Sequence, residues 1–188
     1  MAKLYAKIDE QIAGFIHAQH LFFVASAPLL VAGHVNVSPK GLDSLRILGP
    51  RSVAYLDLIG SGIETVAHLR ENGRLVLMFM AFAGAPKILR LHGRGRVHEP
   101  GEPRYAELLP RFVPQPGARA IIELDVTRIS DSCGFGVPLY QYQEERTALP
   151  DLAIAKGDAG LNEYRHMKNA RSIDGLPGLR RAETRHID

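Results

Sequence analysis

The stretch YLDLIGSGIETVAHL, residues 55–69, decides the fold because it passes from a strand through a tight turn into a helix. Gly60 and Gly62 give the turn backbone angles that other residues avoid. The helix predicted to begin near Ile63 leaves several backbone N–H groups without internal partners, and such a terminus suits a phosphate. A plain tight connection between two elements is the alternative interpretation.

The segments on either side predict a mainly β protein. One helix is expected first, with Asp9 near its N-cap and Ile12 and Ile16 on its buried face. Asn72 and Gly73 predict the end of the second helix. About six strands are predicted: HLFFVASA, GHVNVSPK, SVAYLDL, RLVLMFMAF, KILRLHGRGRVHE and RAIIELDVTRIS. Their short connections favour a small antiparallel barrel over repeated parallel crossovers.

Composition points to one domain and a reducing compartment. The 188 residues carry 23 Lys plus Arg and 20 Asp plus Glu, a net charge of +3 that does not indicate nucleic-acid binding. The single Cys133 excludes an internal disulfide framework, so a cytoplasmic protein without signal peptide or membrane span is expected. Residues 1–133 form the predicted barrel domain, and residues 134–188 an extension that wraps the barrel or a partner.

Several side chains are candidates for binding an anion. The hydroxyls of Ser61 and Thr65 lie four residues apart at the turn, whereas Glu64 would repel a phosphate unless it points away or pairs with an arginine. Lys40 follows a strand and a proline bend, although a surface lysine is the commoner case. Lys87 and Arg90 lie on a basic strand, for which a solvated strand face is the alternative.

Other reactive residue types are interpreted as structural. Cys133 lies beside glycines and without a paired His and Asp pattern, which favours a packing role. The histidines lack metal-site spacing, and His92 and His98 are six residues apart on one strand. No metal site is therefore predicted.

In their order, VNVSPKG, VAYLDLIGSGIETVAHLRENGRLVLMF and KILRLHGRGRV resemble the FMN-binding split-barrel family related to pyridoxamine 5'-phosphate oxidase. The resemblance covers roughly residues 8–129 and implies a six-stranded antiparallel split barrel with a C-terminal tail. DSCGFGVPLY and KNARSIDGLPGL resemble the tail of one bacterial branch.

The resemblance also implies a cofactor, a homodimer and site residues. The FMN phosphate is expected against Ser61, Gly62, Ile63, Glu64 and Thr65, and the flavin ring near Lys40. Asn36 and Ser38 are expected on the same strand as Lys40, while Lys87 and Arg90 approach the flavin from the dimer partner's side. Where the family has an arginine five residues before the lysine, Val35 stands here, with Asn36 beside it.

The implied function is that of an FMN-dependent oxidoreductase acting on an unidentified small substrate. Two alternatives are a non-catalytic flavin-binding or sensor protein and a deazaflavin-dependent reductase, against which the neutral turn argues. The arginine- and histidine-bearing C-terminal motif of true pyridoxamine phosphate oxidases is replaced by SIDGLPGLRRAETRHID. His186 and its neighbouring arginines could imitate that motif, but a frayed, charged terminus is the favoured interpretation.

Overall fold

A computed structural model of the chain describes residues 3–180, so His186 lies outside the described residues. Within that range the strands are β1 Leu4–Tyr5, β2 Phe22–Ser26, β3 Asn36–Lys40, β4 Leu45–Gly49, β5 Ser52–Leu58, β6 Arg74–Met80, β7 Ile88–His98 and β8 Ala118–Ser132. The α-helices are α1 Glu10–His17, α2 Glu64–Asn72, α3 Pro103–Leu108 and α4 Ala148–Asn169, and a 3₁₀ turn, Leu109–Arg111, follows α3.

The strands form one antiparallel sheet whose two edges are consecutive in the chain. The order is β3-β2-β6-β7-β8-β5-β4, with β1 added along β8. Although β3 and β5 lie far apart in this order, Lys40 Nζ at the end of β3 is 2.8 Å from Asp57 Oδ1 on β5. The sheet therefore curls until its edges approach without pairing, which is the geometry of a split barrel.

Apolar side chains fill the interior of this barrel, and α1 packs on them through Ile12 and Ile16. Val53 and Tyr55 of β5 point into this core. A second cluster, which includes residues of α3 and Phe112 just after the 3₁₀ turn, covers the opposite face of β5. Its buried members are Ala54, Leu56, Leu58, Tyr105, Leu108, Phe112 and Ile121. The strand is therefore buried on both faces despite its alternating sequence.

Several local predictions are confirmed. Asp9 caps α1 by accepting a hydrogen bond from the Ile12 N–H at 2.9 Å. The strands β2 and β3 pair with each other. The helix α2 ends at Gly73, whose φ of 68° is the left-handed conformation that glycine adopts at a helix C-terminus.

The predicted count of six strands is wrong, because residues 3–180 contain eight. The two additional strands are β1, which has only two residues, and β4, which lacks a strongly alternating pattern. Both lie beside longer strands, and pairing with β8 and β5 defines them. Tertiary pairing, rather than local propensity, makes them strands.

The extension contains a helix that the turn-rich sequence conceals. Gly157 interrupts α4 with φ 58° and ψ 179°, so the segment consists of two helical pieces across a kink. Ala153 and Leu161 are buried and pack in a small cluster with Ile59, just before the glycine turn. No helix in the described part of the chain is long and apolar enough to cross a membrane.

Candidate functional site

A cavity of about 290 Å³ lies where the two edges of the sheet approach each other. Its walls come from β3, the connection to β4, the end of β5, the glycine turn and the first residues of α2 and α4. The lining side chains and backbone belong to Asn36, Ser38, Pro39, Lys40, Gly41, Leu42, Ser44, Leu56, Leu58, Ile59, Gly60, Gly62, Ile63, Glu64, Thr65, Arg119 and Leu149. The glycine turn thus faces a cavity.

A buried ion cluster lies beside this cavity. The Asp57 side chain is only 2% exposed, and its two oxygens accept hydrogen bonds from Lys40 Nζ and Arg119 Nε, each at 2.8 Å. Arg119 Nη1 also donates to the carbonyl oxygen of Gly60 at 3.1 Å. The cluster therefore ties together β3, β5, β8 and the glycine turn.

Two cations around one carboxylate set its protonation state. Burial by itself raises the pKa of Asp57, but the charges and hydrogen bonds of Arg119 and Lys40 lower that pKa to about 2. The carboxylate is thus ionised at neutral pH. One negative and two positive charges leave the cluster with one net positive charge at the cavity wall.

The N-terminus of α2 lacks a side-chain cap among the described residues. Thr65 Oγ1 in its first turn accepts a hydrogen bond from Asn36 Nδ2 at 2.9 Å, which links α2 to β3. Glu64 Oε1 accepts from the Ile173 N–H at 3.3 Å. Uncapped N–H groups and a hydroxyl could receive an anion here, whereas Glu64 contributes an opposing charge and anchors the C-terminal segment.

The structure brings most of the predicted residues to one place. Those lining the cavity are Asn36, Ser38, Lys40, Gly62, Ile63, Glu64 and Thr65. Ser61 is exposed at the turn and does not line the cavity.

Lys87 and Arg90 do not belong to the cavity within this chain. Lys87 Nζ lies 4.9 Å from the centre of the Phe15 ring and 3.8 Å from Asp131 Oδ2, in a separate depression. Arg90 Nη1 donates to Ser132 Oγ at 3.0 Å. Both residues lie on or beside β7, and β8 stands between β7 and β5 in the sheet.

Asp57 and Arg119 are parts of the site that were not predicted from the sequence. The sequence did contain a signal for Asp57. A carboxylate within a mostly apolar strand is expected to be buried, and a buried charge requires partners. Arg119 begins the predicted strand RAIIELDVTRIS, 62 residues further along the chain, and no local pattern connects the two residues. Cys133, predicted to pack, is exposed instead, because it follows the end of β8 at the surface.

The C-terminal segment covers the glycine turn of its own chain. Asn169 is fully buried, and its Nδ2 donates to the Gly60 carbonyl oxygen at 2.9 Å. Arg70 of α2 donates to the Gly178 carbonyl oxygen, and Gly178 packs closely on Ile63. In residues 3–180 no group of three or more His, Cys, Asp or Glu side chains could hold a metal ion.

Comparisons with known proteins agree with this fold. The family model described as "Pyridoxamine 5'-phosphate oxidase" matches residues 8–133. The "Pyridoxamine 5'-phosphate oxidase family protein ustO" of Aspergillus flavus is 42% identical over 201 aligned positions, which cover 97% of this chain and 80% of that protein.

Two solved structures share the fold at low sequence identity. One is described as a putative pyridoxamine 5'-phosphate oxidase from Lactobacillus delbrueckii, with a TM-score of 0.52 and 19% identity over 68% of this chain and 98% of that one. The other is a HupZ variant from Group A Streptococcus, with a TM-score of 0.51 and 20% identity over 66% of this chain and 99% of that one.

Proposed function

Since the chain belongs to the pyridoxamine 5'-phosphate oxidase family, we propose that it is a cytoplasmic flavoprotein that binds FMN in the cavity between β3, β5 and α2. The observation that carries this proposal is the convergence of the glycine turn, the uncapped α2 N-terminus and Lys40 on one cavity. The FMN phosphate lies against the residues from Gly62 to Thr65, and the ring lies toward Lys40.

The donors around the cavity fit a phosphorylated, hydrogen-bonding ligand. The N–H groups at the start of α2 favour negative charge. The Asn36 amide and the Ser38 and Thr65 hydroxyls can bond a polar chain, and the net positive charge of the ion cluster favours an anion. Glu64 opposes the phosphate, so we assign it to holding Ile173 rather than to the ligand.

The proposed role of the protein is to orient the ligand and to set the electrostatic field around it. A bound flavin supplies the redox chemistry of the family. Lys40 contributes a positive charge where a reduced ring becomes negative, and Asp57 holds its ammonium group in one position. We propose an FMN-dependent oxidoreductase that acts on a small substrate, with non-catalytic flavin binding as the second candidate.

A homodimer would complete the site. Val37 on the edge strand β3 is 60% exposed, and Val35 just before β3 is 71% exposed. The preceding loop adds the exposed side chains of Leu29, Leu30 and Val31. Exposed apolar side chains of this kind support association with a second copy. Lys87 and Arg90 would then reach the flavin from the partner, as the resemblance to the family implies.

The first experiment records the visible absorption spectrum of the purified protein and identifies any ligand released by heat from its mass. We expect a flavin spectrum and FMN. A colourless protein that also fails to take up added FMN would contradict the proposal.

Light scattering coupled to size-exclusion chromatography tests the dimer. A monomeric mass for the FMN-loaded protein would exclude the homodimer.

The Lys40→Ala variant tests the proposed electrostatic role. Loss of one positive charge should lower the reduction potential of bound FMN by about 30 mV, which corresponds to ~1.4 kcal/mol for a two-electron couple. A spectroelectrochemical titration measures the shift. Lys7→Ala serves as the control, since Lys7 lies outside the cavity lining. An unchanged potential in Lys40→Ala would remove Lys40 from this role.

A further inference from the structure

The side chain of Glu64, in the first turn of α2, folds back over the glycine turn. A Cβ atom built on Gly62 would collide with Glu64 Oε2 and would lie 3.4 Å from the carboxyl carbon of Glu64. Both residues line the cavity. Because glycine has no side chain, position 62 leaves the space that this carboxylate occupies, and that space borders the cavity.

Few contacts hold this carboxylate in place. None of the ion pairs within residues 3–180 involves Glu64. Its Oε1 accepts a hydrogen bond from the Ile173 N–H at 3.3 Å, which is longer than the usual distance of about 2.9 Å. The helix dipole favours a negative charge at the start of α2, and it favours the phosphate of a ligand there for the same reason. A phosphate and the Glu64 carboxylate therefore compete for one place.

Glu64 also determines the net charge around the cavity. Lys40 and Arg119 line the cavity, and Asp57 beside it accepts hydrogen bonds from both, which leaves one net positive charge. The carboxylate of Glu64 cancels that charge. An anionic ligand therefore gains less electrostatic free energy from the cavity than it would gain if residue 64 were neutral.

The hydrogen-bond partner of Glu64 belongs to a turn in the C-terminal segment. Ile173 follows α4 and precedes Asp174, whose Oδ2 accepts from the His34 N–H at 2.8 Å and whose Oδ1 lies 2.7 Å from His34 Nδ1. These contacts with His34 do not involve Glu64. If the Glu64 side chain moves, the turn therefore stays docked and the Ile173 N–H loses its acceptor.

We propose that the Glu64 carboxylate competes with the ligand's phosphate for the start of α2, and that phosphate binding displaces it and frees the Ile173 N–H. The inference rests on the proposed function, which places the FMN phosphate against the residues from Gly62 to Thr65. Glu64 thereby sets how strongly the cavity distinguishes a phosphorylated flavin from one without a phosphate. It also couples the phosphate position to the C-terminal segment, on which Ile173 lies.

The flavin affinities of the full-length protein test the competition. Fluorescence quenching gives the dissociation constants of FMN and of riboflavin, which has the same ring but no phosphate, for the wild-type protein and for Glu64→Gln. We expect Glu64→Gln to bind FMN about ten-fold more tightly and riboflavin within about two-fold of the wild-type value, because only the phosphate meets the carboxylate charge. Equal FMN affinities in the two proteins, or an equal gain for riboflavin, would overturn the proposal.

Glu71→Gln is the matched control. Glu71 also lies on α2, and its Oε2 accepts from the backbone N–H of Leu29 at 2.7 Å, but Glu71 does not line the cavity. We expect Glu71→Gln to leave both flavin affinities unchanged. A gain in FMN affinity as large as that in Glu64→Gln would show that overall charge, rather than position, controls binding, and it would refute the role of Glu64.

The amide signal of Ile173 in ¹⁵N-labelled protein tests the displacement. With FMN bound, we expect this signal at the same position in the wild-type protein and in Glu64→Ala, because neither protein then offers the carboxylate to Ile173. With riboflavin bound, the two positions should differ, since the wild-type carboxylate still accepts the hydrogen bond. The signal of Gly175, whose N–H donates to the Ser172 carbonyl oxygen in the same turn, should agree throughout. Different Ile173 positions in the two FMN-bound proteins would overturn the displacement.

Inorganic phosphate separates this proposal from the proposed function. The amide signals of Gly62 and Thr65 report its binding without any flavin, and Glu64→Gln should bind it about ten-fold more tightly than the wild-type protein does. Such a difference in a protein that takes up neither flavin would support the competition and reject the flavin site. Flavin binding together with equal phosphate affinities in the two proteins would support the flavin site and reject the competition.

Discussion

Two buried carboxylates in this barrel have similar partners but different surroundings. Asp57 is held by Lys40 and Arg119 beside the cavity. Glu123 on β8 is held by His98 Nε2 at 3.0 Å and by Arg104 Nε at 3.2 Å, and it does not line that cavity.

The two clusters differ in how far their cations are exposed to solvent. The side chains of Lys40 and Arg119 are 20% and 5% exposed, whereas Arg104 is 38% exposed and already reaches water. Arg104 also pairs with Glu107 at the surface. Losing the carboxylate costs less stability when water can hydrate the cation than when the cation is enclosed beside a cavity. The cluster at Asp57 is therefore both the structural tie across the split and the charged wall of the candidate site.

The largest expected effect comes from Asp57→Asn. This change leaves the buried Arg119 and the partly buried Lys40 without a counter-charge and should lower the free energy of unfolding by about 3–5 kcal/mol. Urea denaturation measures it. Adding Lys40→Met should recover part of the loss, because only Arg119 then remains unpaired. Asp43→Asn, a change in a 73% exposed side chain, should cost less than about 1 kcal/mol. A similar loss of unfolding free energy in Asp43→Asn and Asp57→Asn would contradict the special importance of the enclosed cluster at Asp57.

Acid provides a second test of Asp57. Because its pKa in the folded protein, about 2, lies below the ordinary value of 3.8, the stability it contributes is complete above about pH 5 and is lost as the pH falls toward 2. The contribution is about 2 kcal/mol. The free energy of unfolding in urea is measured between these pH values for the wild-type protein and for Asp57→Asn. Because the other carboxylates titrate in both proteins, the difference between the two curves isolates the contribution of Asp57. Parallel pH curves for the two proteins would argue against an ionised Asp57.

A smaller loss is expected for Glu123→Gln. The exposed Arg104 can return to water, so we expect about 1–2 kcal/mol in the free energy of unfolding and no change in FMN affinity. Glu107→Gln, which removes only the exposed partner of Arg104, should cost less than about 0.5 kcal/mol. A weaker FMN affinity in Glu123→Gln would contradict the distinction between the two clusters.

The smallest effect concerns the hydroxyls of the turn. Thr65→Val keeps the side-chain shape but removes the oxygen that accepts from Asn36, and FMN affinity should fall by about 1 kcal/mol. Ser61→Ala should change FMN affinity less, because Ser61 is exposed and lies outside the cavity lining. Fluorescence quenching of FMN measures both. The opposite ranking would place the phosphate nearer Ser61.

Elements with local signals could be predicted from the sequence. The Asp9 cap and the glycine end of α2 are encoded within a few neighbouring residues. The glycine turn could be recognised because strand, turn and helix follow one another in the chain, and in the structure the turn lines a cavity together with Lys40. The strand β4 could not be predicted so easily, because its pairing with β5 defines it. The kinked α4 was hidden as well, because its packing on Ile59 supports it.

The parts of the site that escaped prediction depend on distant contacts. Asp57 meets Arg119 only because β5 pairs with β8 and the sheet curls. Lys87 was predicted by resemblance to approach a flavin, but within one chain it lies over the Tyr5 and Phe15 rings. Its role at the site depends on a second copy and stays a prediction.

The buried amide of Asn169 has a practical consequence for dividing this chain. The family match ends at residue 133, which invites expression of a shortened fragment. Such a fragment would lack Leu149 from the cavity wall and the Asn169 hydrogen bond to Gly60. Ile63, now buried at 1% exposure, would lose its cover from Gly178. Residues 134–180 thus supply Leu149 to the cavity wall and cover the glycine turn, so a fragment meant for binding studies should include them.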